Sequence, residues 1–473
     1  MNFQKLLALI LAIIMVTSLF SACSNDTSDD PNNEESNSQI AGEEQNTNEF
    51  VPVLRFVVAS DTHLTTNSKD IEGQRLVKLF ETAYAYSEAQ TDYNELDAVL
   101  FVGDITNDGS KNSLNRFFKT VKENLKGKTI SKSVMGNHEF NFFKAYPTLS
   151  ATQIEESTTE AFLDASNYET PDHHFTLNGF HFIMVSPSGK GAEYNKTKQD
   201  WLKAELEIAA ADDPTGKKPI FVFQHVPVSA TTIGSYNKWG SSALKTILNA
   251  YPQVVDFAGH THRSLQDPRS IYQEKFTALN TGGMMKLTFE IPGIDMTKLN
   301  DALGLNSDGT YVNAKDKNGG EYYIIEVSAD NVIKVQGYHV EKNKFIITPY
   351  EFTVGDVSEF KYTTERANTC AAPAFSADAT ITLDKVDSTS AQITFPQATC
   401  PDYLNHYIID VYKGEELIST EYRFSNNDLD PVPETRTVPI SNLKASTEYK
   451  VIVTPVNTWN KSGSPLEITF STK

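Results

Sequence analysis

Basic residues are scarce in this chain, and no stripe of lysine or arginine interrupts its acidic character. Of its 473 residues, 41 are Lys or Arg and 61 are Asp or Glu, which gives a formal net charge of −20. A protein that binds the nucleic-acid backbone needs clustered cations, so no such binding is expected. A polyanionic substrate would need another positive group, such as metal ions. Solubility alone explains the negative charge equally well.

Cysteine is also rare, with three residues in the chain. Cys370 and Cys400 lie outside every histidine cluster, which argues against a thiolate metal site. In an oxidising compartment these two could form a disulfide, and the sequence leaves that question open.

The third cysteine, Cys23, ends a segment typical of a secretory signal: Lys5, an apolar run over residues 6–20, then Ser21 and Ala22. The run is short for a membrane-spanning helix. The segment resembles a bacterial lipoprotein cleavage site. That resemblance implies a signal peptide over residues 1–22, lipidation of Cys23 and an extracytoplasmic protein anchored to a bacterial membrane. Such sites usually carry Leu where Phe20 stands, so ordinary secretion and an uncleaved anchor stay open.

Residues 23–50 contain no Lys or Arg and almost nothing apolar. Such a segment buries too little surface to offset its ordering entropy, so it is predicted to be a disordered tether. The remaining length is too great for one ordinary domain.

From residue 51 to residue 364, apolar strand patterns alternate with helical ones, which predicts an α/β core with later strands paired antiparallel. Helices are predicted over 70–89, 110–125 and 198–211, and a hairpin turns at Asn178 and Gly179. The predicted strands include 53–59, 96–102, 220–223, 254–258, 275–280, 284–290, 321–327 and 332–339. A surface loop is predicted over 292–320.

Residues 365–473 lose the helical period and show strand patterns instead. The predicted strands are 379–383, 390–395, 407–412, 449–455 and 466–472. A length near 100 residues with such strands suits an all-β, immunoglobulin-like sandwich.

Five short polar motifs each follow an apolar segment of the α/β part. They are Asp61-Thr62-His63, Gly103-Asp104, Gly136-Asn137-His138-Glu139, His225 and Gly259-His260-Thr261-His262. Open α/β sheets place their sites at the carboxyl ends of strands. Nitrogen and oxygen ligands without Cys suit Mn, Fe, Zn or Co. Two such ions can clamp a phosphate and activate water. Taken singly, each residue has a structural explanation, such as turn capping by Asp.

The order of these motifs, over residues 53–345, resembles the calcineurin-like metallophosphoesterase superfamily. The resemblance implies a β-sandwich core flanked by helices, and hydrolysis of phosphate mono- or diesters by attack of metal-bound hydroxide without a covalent enzyme intermediate. Asp104 would bridge the two metals, divalent or trivalent Mn, Fe or Zn. His138 would contact the phosphate and protonate or stabilise the leaving group, and Glu139 would orient His138 or a ligand. The implied ligands are Asp61, His63 and His262 for the first metal, and Asn137, His225 and His260 for the second.

The loop after Asp104 helps to decide which branch of the superfamily the chain resembles. Purple acid phosphatases carry a Tyr ligand three residues after the bridging Asp, and here that residue is Asn107, so that subfamily is rejected. Residues 103–109 look more like the cyclic-nucleotide phosphodiesterase branch, which slightly favours diesters. Nucleotides, phospholipid head groups and cell-wall phosphodiesters are equally reachable.

Residues 443–451 resemble the tyrosine corner of fibronectin type III domains, centred on Tyr449. A C-terminal module of this kind could hold a cell-envelope polymer. The alternative hypothesis is therefore an envelope-binding surface lipoprotein whose metal site is vestigial. His173, His174 and His181 lie outside the motifs and are predicted to be structural or, at most, near the site, and His406 is predicted to be structural. For Tyr236 and Trp239, aromatic packing is favoured over a place in the wall of a substrate cleft.

Overall fold

The computed structural model describes residues 50–189, 193–236, 239–294 and 318–473. The predicted signal peptide, Cys23, nearly all of the predicted tether and most of the predicted loop at 292–320 lie outside these ranges. In the described part of the chain, no helix is long and apolar enough to cross a membrane.

The strands and helices of the α/β part follow the predicted order. The strands are β1 (Pro52–Ala59), β2 (Ala98–Val102), β3 (Ile130–Val134), β4 (His173–Leu177), β5 (Phe180–Val185), β6 (Ile220–Gln224), β7 (Val254–Ala258), β8 (Ile271–Gln273), β9 (Thr277–Asn280), β10 (Glu321–Ser328), β11 (Ile333–His339), β12 (Lys344–Phe345) and β13 (Tyr350–Phe352). The helices are α1 (Ile71–Glu88), α2 (Lys111–Asn124), α3 (Asn141–Lys144), α4 (Ala151–Ser166), α5 (Lys196–Asp212), α6 (Lys245–Leu248) and α7 (Arg366–Thr369).

Two mixed sheets are built from these strands. The first has the order β12-β11-β10-β1-β2-β3, with β13 also paired to β11, and the second has the order β4-β5-β6-β7-β9-β8. In the first sheet β1, β2 and β3 run parallel, while β10 and β11 add antiparallel neighbours. In the second sheet β5, β6, β7 and β9 run parallel. Of the later predicted strands, 321–327 and 332–339 pair antiparallel, as predicted, whereas the strand predicted over 275–280 runs parallel to β7.

The two sheets pack face to face around one apolar core. Phe56 of β1 makes edge contacts with Phe182 of β5 and Phe221 of β6, at ring-centroid distances of 5.1 and 5.0 Å. Side chains alternate along β1, so Phe56 points into this core while Val57 packs under the helices. Truncation of a buried Phe costs about 3–5 kcal/mol, so this face is a main source of stability.

Helices cover the outer faces of both sheets. α1, α2 and α4 pack on the first sheet, and α5 and α6 pack on the second. Asp70 and Ser110 cap the amino ends of α1 and α2 by accepting hydrogen bonds from Gly73 N and Ser113 N, which satisfies backbone donors that a helix leaves open. The predicted β-sandwich core flanked by helices is therefore confirmed.

One predicted strand, 284–290, is wrong. This segment forms only an isolated bridge at Thr288, paired with Arg263. Its alternating residues Leu287 and Phe289 instead pack against Phe424 of the C-terminal region. The apolar pattern reflects burial against another part of the fold, without a neighbouring strand to form a ladder.

The C-terminal region is an all-β sandwich, as predicted. Its strands are β14 (Thr382–Val386), β15 (Ala391–Pro396), β16 (Leu404–Lys413), β17 (Glu416–Phe424), β18 (Thr435–Ile440), β19 (Glu448–Asn457) and β20 (Leu466–Ser471). One sheet has the order β14-β15-β18 and the other β17-β16-β19-β20, with a shared apolar core. We call residues 382–471 the C-terminal sandwich.

Tyr449, the residue of the predicted tyrosine corner, is buried, and its hydroxyl accepts a hydrogen bond of 2.8 Å from the Lys444 backbone N–H. Such a bond to the backbone a few residues upstream is what a tyrosine corner makes. Cys370 and Cys400 are free thiols in the structure.

Candidate metal centre

The predicted ligands lie just beyond the carboxyl ends of five strands. Asp61 follows β1, Asp104 follows β2 and Asn137 follows β3, all in the first sheet, while His225 follows β6 and His260 follows β7 in the second. Because the parallel strands of each sheet end at the same edge, and the two edges face each other, these side chains converge.

The first group of converging side chains comprises Asp61, His63, Asp104 and His262, all buried, with their ligand atoms close enough to hold one metal ion. His262 Nε2 lies 3.1 Å from Asp61 Oδ1 and 3.2 Å from His63 Nε2. His63 Nε2 lies 3.7 Å from Asp104 Oδ2.

The second group shares Asp104 and adds His225 and His260. Asp104 Oδ2 lies 3.2 Å from His225 Nε2, which in turn lies 3.2 Å from Asn137 Oδ1. Oδ2 of Asp104 thus faces both groups, the position required of a bridging carboxylate.

Backbone carbonyls orient two of the imidazoles. His225 Nδ1 donates to Val102 O at 2.8 Å, and His262 Nδ1 donates to Lys286 O at 3.1 Å. With Nδ1 held by a carbonyl oxygen, Nε2 of each ring is the nitrogen that faces the cluster, as is usual for metal-binding histidines. Carbonyl oxygens leave no signal in a sequence, so these two orienting groups could not be found from motifs.

Unsatisfied polar atoms show that the cluster suits a cation. Asp61 Oδ1 and His63 Nδ1 are buried without a hydrogen-bond partner, although Asp61 Oδ2 accepts from Ser60 Oγ and from the His260 N–H at 3.0 Å. A buried carboxylate oxygen without a donor costs free energy unless a cation meets it. The donors are oxygen and imidazole nitrogen, and the residues present therefore fit Mn, Fe, Zn or Co.

The electrostatics of the cluster depart from those of ordinary buried residues. Burial alone would raise the pKa of Asp61, but His262 beside it holds that pKa well below its usual value. Burial likewise opposes ionisation of Asp104, and His225 overcomes it so that this pKa also falls. Conversely, Asp104 raises the pKa of His225 to about 9 against the effect of burial. Burial lowers the pKa of His63 to about 4. The carboxylates are therefore ionised, as metal ligands must be.

The backbone is strained at most of the predicted ligands. Positive φ angles occur at five of the seven: Asp61 (55°), His63 (45°), Asp104 (48°), His260 (69°) and His262 (53°). Such conformations cost free energy in residues other than glycine and cluster at functional sites.

Two glycines allow the loops to approach this closely. A Cβ on Gly136 would lie 2.3 Å from Asp104 Oδ1, and one on Gly259 would lie 2.7 Å from Asp61 Oδ2. Both contacts are shorter than any carbon–oxygen packing distance, so a larger residue at either position would push a predicted ligand aside. The glycines before Asn137 and His260 thus belong to the site.

His138 stands at the rim of the cluster. Its backbone N–H donates to Asp104 Oδ1 at 2.7 Å, and its Nδ1 donates to Asn107 O at 2.8 Å. Nε2 then points towards Asp104 Oδ2, 3.9 Å away, with 30% of the side chain exposed. The ring can therefore reach both the cluster and a substrate from solvent.

Glu139 is buried and accepts hydrogen bonds from the backbone of the loops after β2 and β3. The His138 ring is oriented by Asn107 O and not by Glu139. Glu139 Oε1 accepts from the Thr106 N–H at 2.9 Å, and Oε2 accepts from the Gly136 N–H at 2.6 Å. Glu139 thereby ties the loop after β2 to the loop after β3. Burial, reinforced by Asp104, raises the pKa of Glu139 to about 7.

The three histidines of β4 and β5 are not among the residues that form the cluster. His174 bonds to Glu205 at 2.5 Å and to His181 at 2.8 Å, in a chain of side chains that does not converge on one point. His173 bonds to Ser133 O at 3.3 Å. Their predicted structural role agrees with these contacts.

Two aromatic residues differ from the packing role predicted for them. Tyr236 is 49% exposed and Trp239 is 43% exposed, and the Trp239 ring centroid lies 5.2 Å from that of His260. The position of Trp239 beside the cluster depends on how the loop after β6 folds, which the sequence does not reveal.

Two facing mixed sheets with outer helices, and a buried Asp and His cluster at their carboxyl edges, define the metallophosphoesterase class of proteins. Residues 54–264 match the family model described as calcineurin-like phosphoesterase. This match and the buried cluster together identify the protein as a phosphoesterase, a hydrolase that acts on phosphoric ester bonds.

Solved structures resemble parts of the chain at low sequence identity, and no curated protein matches it. GAP50, described as the anchor in the inner membrane complex of Plasmodium, is 15% identical with a TM-score of 0.40, over 64% of this chain and 89% of that one. Purple acid phosphatase PPD1 from yellow lupin is 11% identical with a TM-score of 0.42, over 63% and 53%. The fn3 domain of the human collagen alpha-1(XX) chain is 17% identical with a TM-score of 0.16, over 22% and 85%. At these scores, the likenesses say nothing about the activity of this chain.

Proposed function

We propose that the protein is a dinuclear metal-dependent phosphoesterase that works outside the cytoplasmic membrane and slightly favours diesters over monoesters. The observation that carries the proposal is the position of Asp104. Its Oδ2 faces both groups of potential ligands, so one carboxylate can serve two cations.

Each remaining ligand then has one task. Asp61, His63 and His262 would hold the first ion, and Asn137, His225 and His260 the second. Two bound ions would supply charge neutralisation at the phosphoryl oxygens and a water acidified towards neutral pH. The strained loops fix the ligand atoms beforehand, so the protein needs little rearrangement to accept the ions.

His138 would donate a proton to the leaving oxygen, or a hydrogen bond to a phosphoryl oxygen, from Nε2. Because Nδ1 donates to Asn107 O, Nε2 is the ring nitrogen that faces the cluster, and it can donate when the ring is in the doubly protonated imidazolium form. General acid catalysis of this kind contributes about 10²- to 10⁴-fold to a rate.

The preference for diesters rests on the resemblance of residues 103–109, a loop that contains Asn107, to the cyclic-nucleotide phosphodiesterase branch. In this fold Asn107 turns its carbonyl oxygen to His138. The residue therefore contributes to the orientation of the proposed acid.

The location of the enzyme follows from residues outside the described part of the chain. We propose that residues 1–22 are cleaved, that Cys23 is lipidated and that residues 23–50 form the tether to a bacterial membrane. Replacement of Cys23 by Ser should abolish labelling by radioactive palmitate in a bacterial host and move the protein to the soluble fraction. Continued labelling would contradict the proposal.

The C-terminal region, residues 365–473, is proposed to be a fibronectin type III-like domain, which the Tyr449 bond and the division into sheets of three and four strands support. The alternative function, envelope binding with a vestigial metal site, has less support. All seven predicted ligands converge, and a vestigial site would be expected to have lost some of them.

Hydrolysis of two matched esters tests the proposal. The full chain, reconstituted with Mn²⁺, Zn²⁺ or Fe²⁺, should cleave bis-p-nitrophenyl phosphate faster than p-nitrophenyl phosphate, and a chelator should stop both reactions. Faster cleavage of the monoester would overturn the diester preference and leave the mechanism standing. Failure to cleave either ester at any metal content would favour envelope binding.

A further inference from the structure

A large open cleft adjoins the metal centre. Its volume is about 940 Å³, within the range of small-molecule sites. The α/β part supplies one wall, which includes Tyr236, Trp239 and Arg263, and the loop after β19 supplies another, which includes Thr458 and Trp459.

Two of these residues place the cleft next to the proposed metals. Trp239 has its ring centroid 5.2 Å from that of His260, and Arg263 directly follows His262 in the chain. A phosphoryl group held by the cluster would therefore have its organic substituent near the mouth of the cleft.

The C-terminal sandwich is held against the α/β part at this place. The Thr458 hydroxyl donates to Asp267 Oδ2 at 2.5 Å, and Asn405 Nδ2 donates to Glu290 O at 3.2 Å. The Phe289 and Phe424 rings pack with centroids 5.8 Å apart. These contacts fix the loop that carries Trp459 as a wall of the cleft.

The surfaces of the cleft suit a flat aromatic ring. Tyr236 and Trp239 expose about half of their area, and the guanidinium of Arg366 lies 5.2 Å from the centre of the Trp459 ring. Aromatic faces and guanidinium planes both stack on flat rings. The lining also includes three arginines, of which Arg263 and Arg269 form ion pairs with Glu290 at 3.2 and 3.4 Å.

We propose that this cleft binds the alcohol portion of the substrate, that this portion carries a flat aromatic ring, and that the C-terminal sandwich completes the binding site through Trp459. The proposal rests on the phosphoesterase function proposed above and adds the class of ester to it. The sandwich is then a part of the substrate site, in contrast to a separate module for envelope polymer.

Two monoesters of primary alcohols test the idea, adenosine 5′-monophosphate with a ring and glycerol 3-phosphate without one. Their scissile bonds are alike, so differences in kcat/KM report binding of the ring. Stacking of a base on an aromatic side chain stabilises a complex by about 1–3 kcal/mol. Trp459→Ala or Tyr236→Ala should therefore lower kcat/KM for the adenosine ester by roughly tenfold. Values for the glycerol ester should stay within about twofold of wild type by the same reasoning.

The matched control is Leu417→Ala, since Leu417 is 50% exposed on the sandwich and is not among the residues that line the cleft. This variant should leave kcat/KM unchanged for both esters. Equal losses on both esters in the Trp459 and Tyr236 variants, or no loss on either, would overturn the proposal.

Tryptophan fluorescence separates this proposal from the function on which it rests. Two of the three tryptophans, Trp239 and Trp459, line the cleft, so adenosine 5′-monophosphate should change the emission of the wild-type protein even if no ester is cleaved. The change should shrink in Trp459→Phe. An unchanged spectrum at millimolar nucleotide would contradict the aromatic site whether or not the metal centre is active.

Discussion

Residues with positive φ occur in both the metal-centre loops and the C-terminal sandwich, but they differ in kind. In the sandwich they are Asn426, Asn442, Ser446 and Asn460, small polar residues in turns. In the metal-centre loops they are aspartates and histidines, whose side chains all point to one cluster. Asparagine adopts a positive φ at a small cost in free energy, whereas several strained aspartates and histidines persist only where the surrounding fold imposes this conformation.

Buried histidines show the same contrast. His406 in the sandwich is 2% exposed, and burial lowers its pKa to about 4, with Asn405 Oδ1 as a neutral partner at 2.9 Å. His225 is fully buried, yet Asp104 raises its pKa to about 9. Burial also lowers the pKa of the predicted ligand His63 to about 4, so a pKa shift by itself does not mark a functional histidine. The carboxylate of Asp104, which lies beside both His63 and His225, is what separates them from His406.

The largest effect should follow from Asp104→Asn. Loss of the shared negative charge should lower hydrolysis by about 10³-fold or more, since single electrostatic contacts to a transition state are worth 10²- to 10³-fold. Far-ultraviolet circular dichroism should stay close to wild type. The matched variant His406→Gln in the sandwich should keep its activity. Full activity in Asp104→Asn would contradict the assignment of a two-metal phosphoesterase.

A smaller loss is expected from His138→Gln. Removal of the proposed acid should lower kcat by about 10²-fold or more while metal content, measured by mass spectrometry, stays unchanged. His174→Gln, outside the cluster, serves as the control. A fall in metal content without a change in kcat per bound metal would show that His138 acts as a ligand instead.

The buried carboxyl of Asp256 predicts a dependence of stability on pH. Burial raises its pKa to about 7, and its Oδ1 has no hydrogen-bond partner. The native protein then keeps a proton that the unfolded chain releases near pH 4. Its contribution to stability is full below that pH and is lost as the pH rises through about 7.

Asp256→Asn should accordingly melt above wild type at pH 8, by about 2–4 °C for each kcal/mol of ionisation cost that the substitution removes. At pH 4 the difference should vanish or reverse. Calorimetry at the two pH values measures it, and equal differences at both would contradict the raised pKa.

The smallest effect concerns the sandwich alone. Tyr449→Phe removes the bond to Lys444 N and should cost about 1 kcal/mol of stability, the net value of one hydrogen bond. The rate of ester hydrolysis should not change. A large loss of activity would mean that the corner also sets the position of the cleft wall.

Much of the fold and most of the candidate site could be predicted from the sequence. The apolar runs that end at Asp61, Asp104 and His225 are central strands buried on both faces, and their pattern is strong because packing demands it. The motif residues follow these strands directly. Because the parallel strands of each sheet end at the same edge, the strand order is enough to bring the motif residues together.

The missed elements are short or exposed. β8, β12 and β13 have two or three residues, too few for a period, and β17 begins with exposed residues such as Leu417 and Ile418. The cleft could not be predicted either. It forms where residues near Trp239 meet residues near Trp459, and local patterns carry no information on such distant contacts.

Metal stoichiometry tests the central claim most directly. Inductively coupled plasma mass spectrometry on the reconstituted full chain should find about two transition-metal ions per chain, the number that a two-metal site requires. The Asp104→Asn variant should hold fewer, while His406→Gln should hold as many as wild type. A wild-type chain that retains no metal after reconstitution, or an Asp104→Asn variant that retains as much as wild type, would contradict the account.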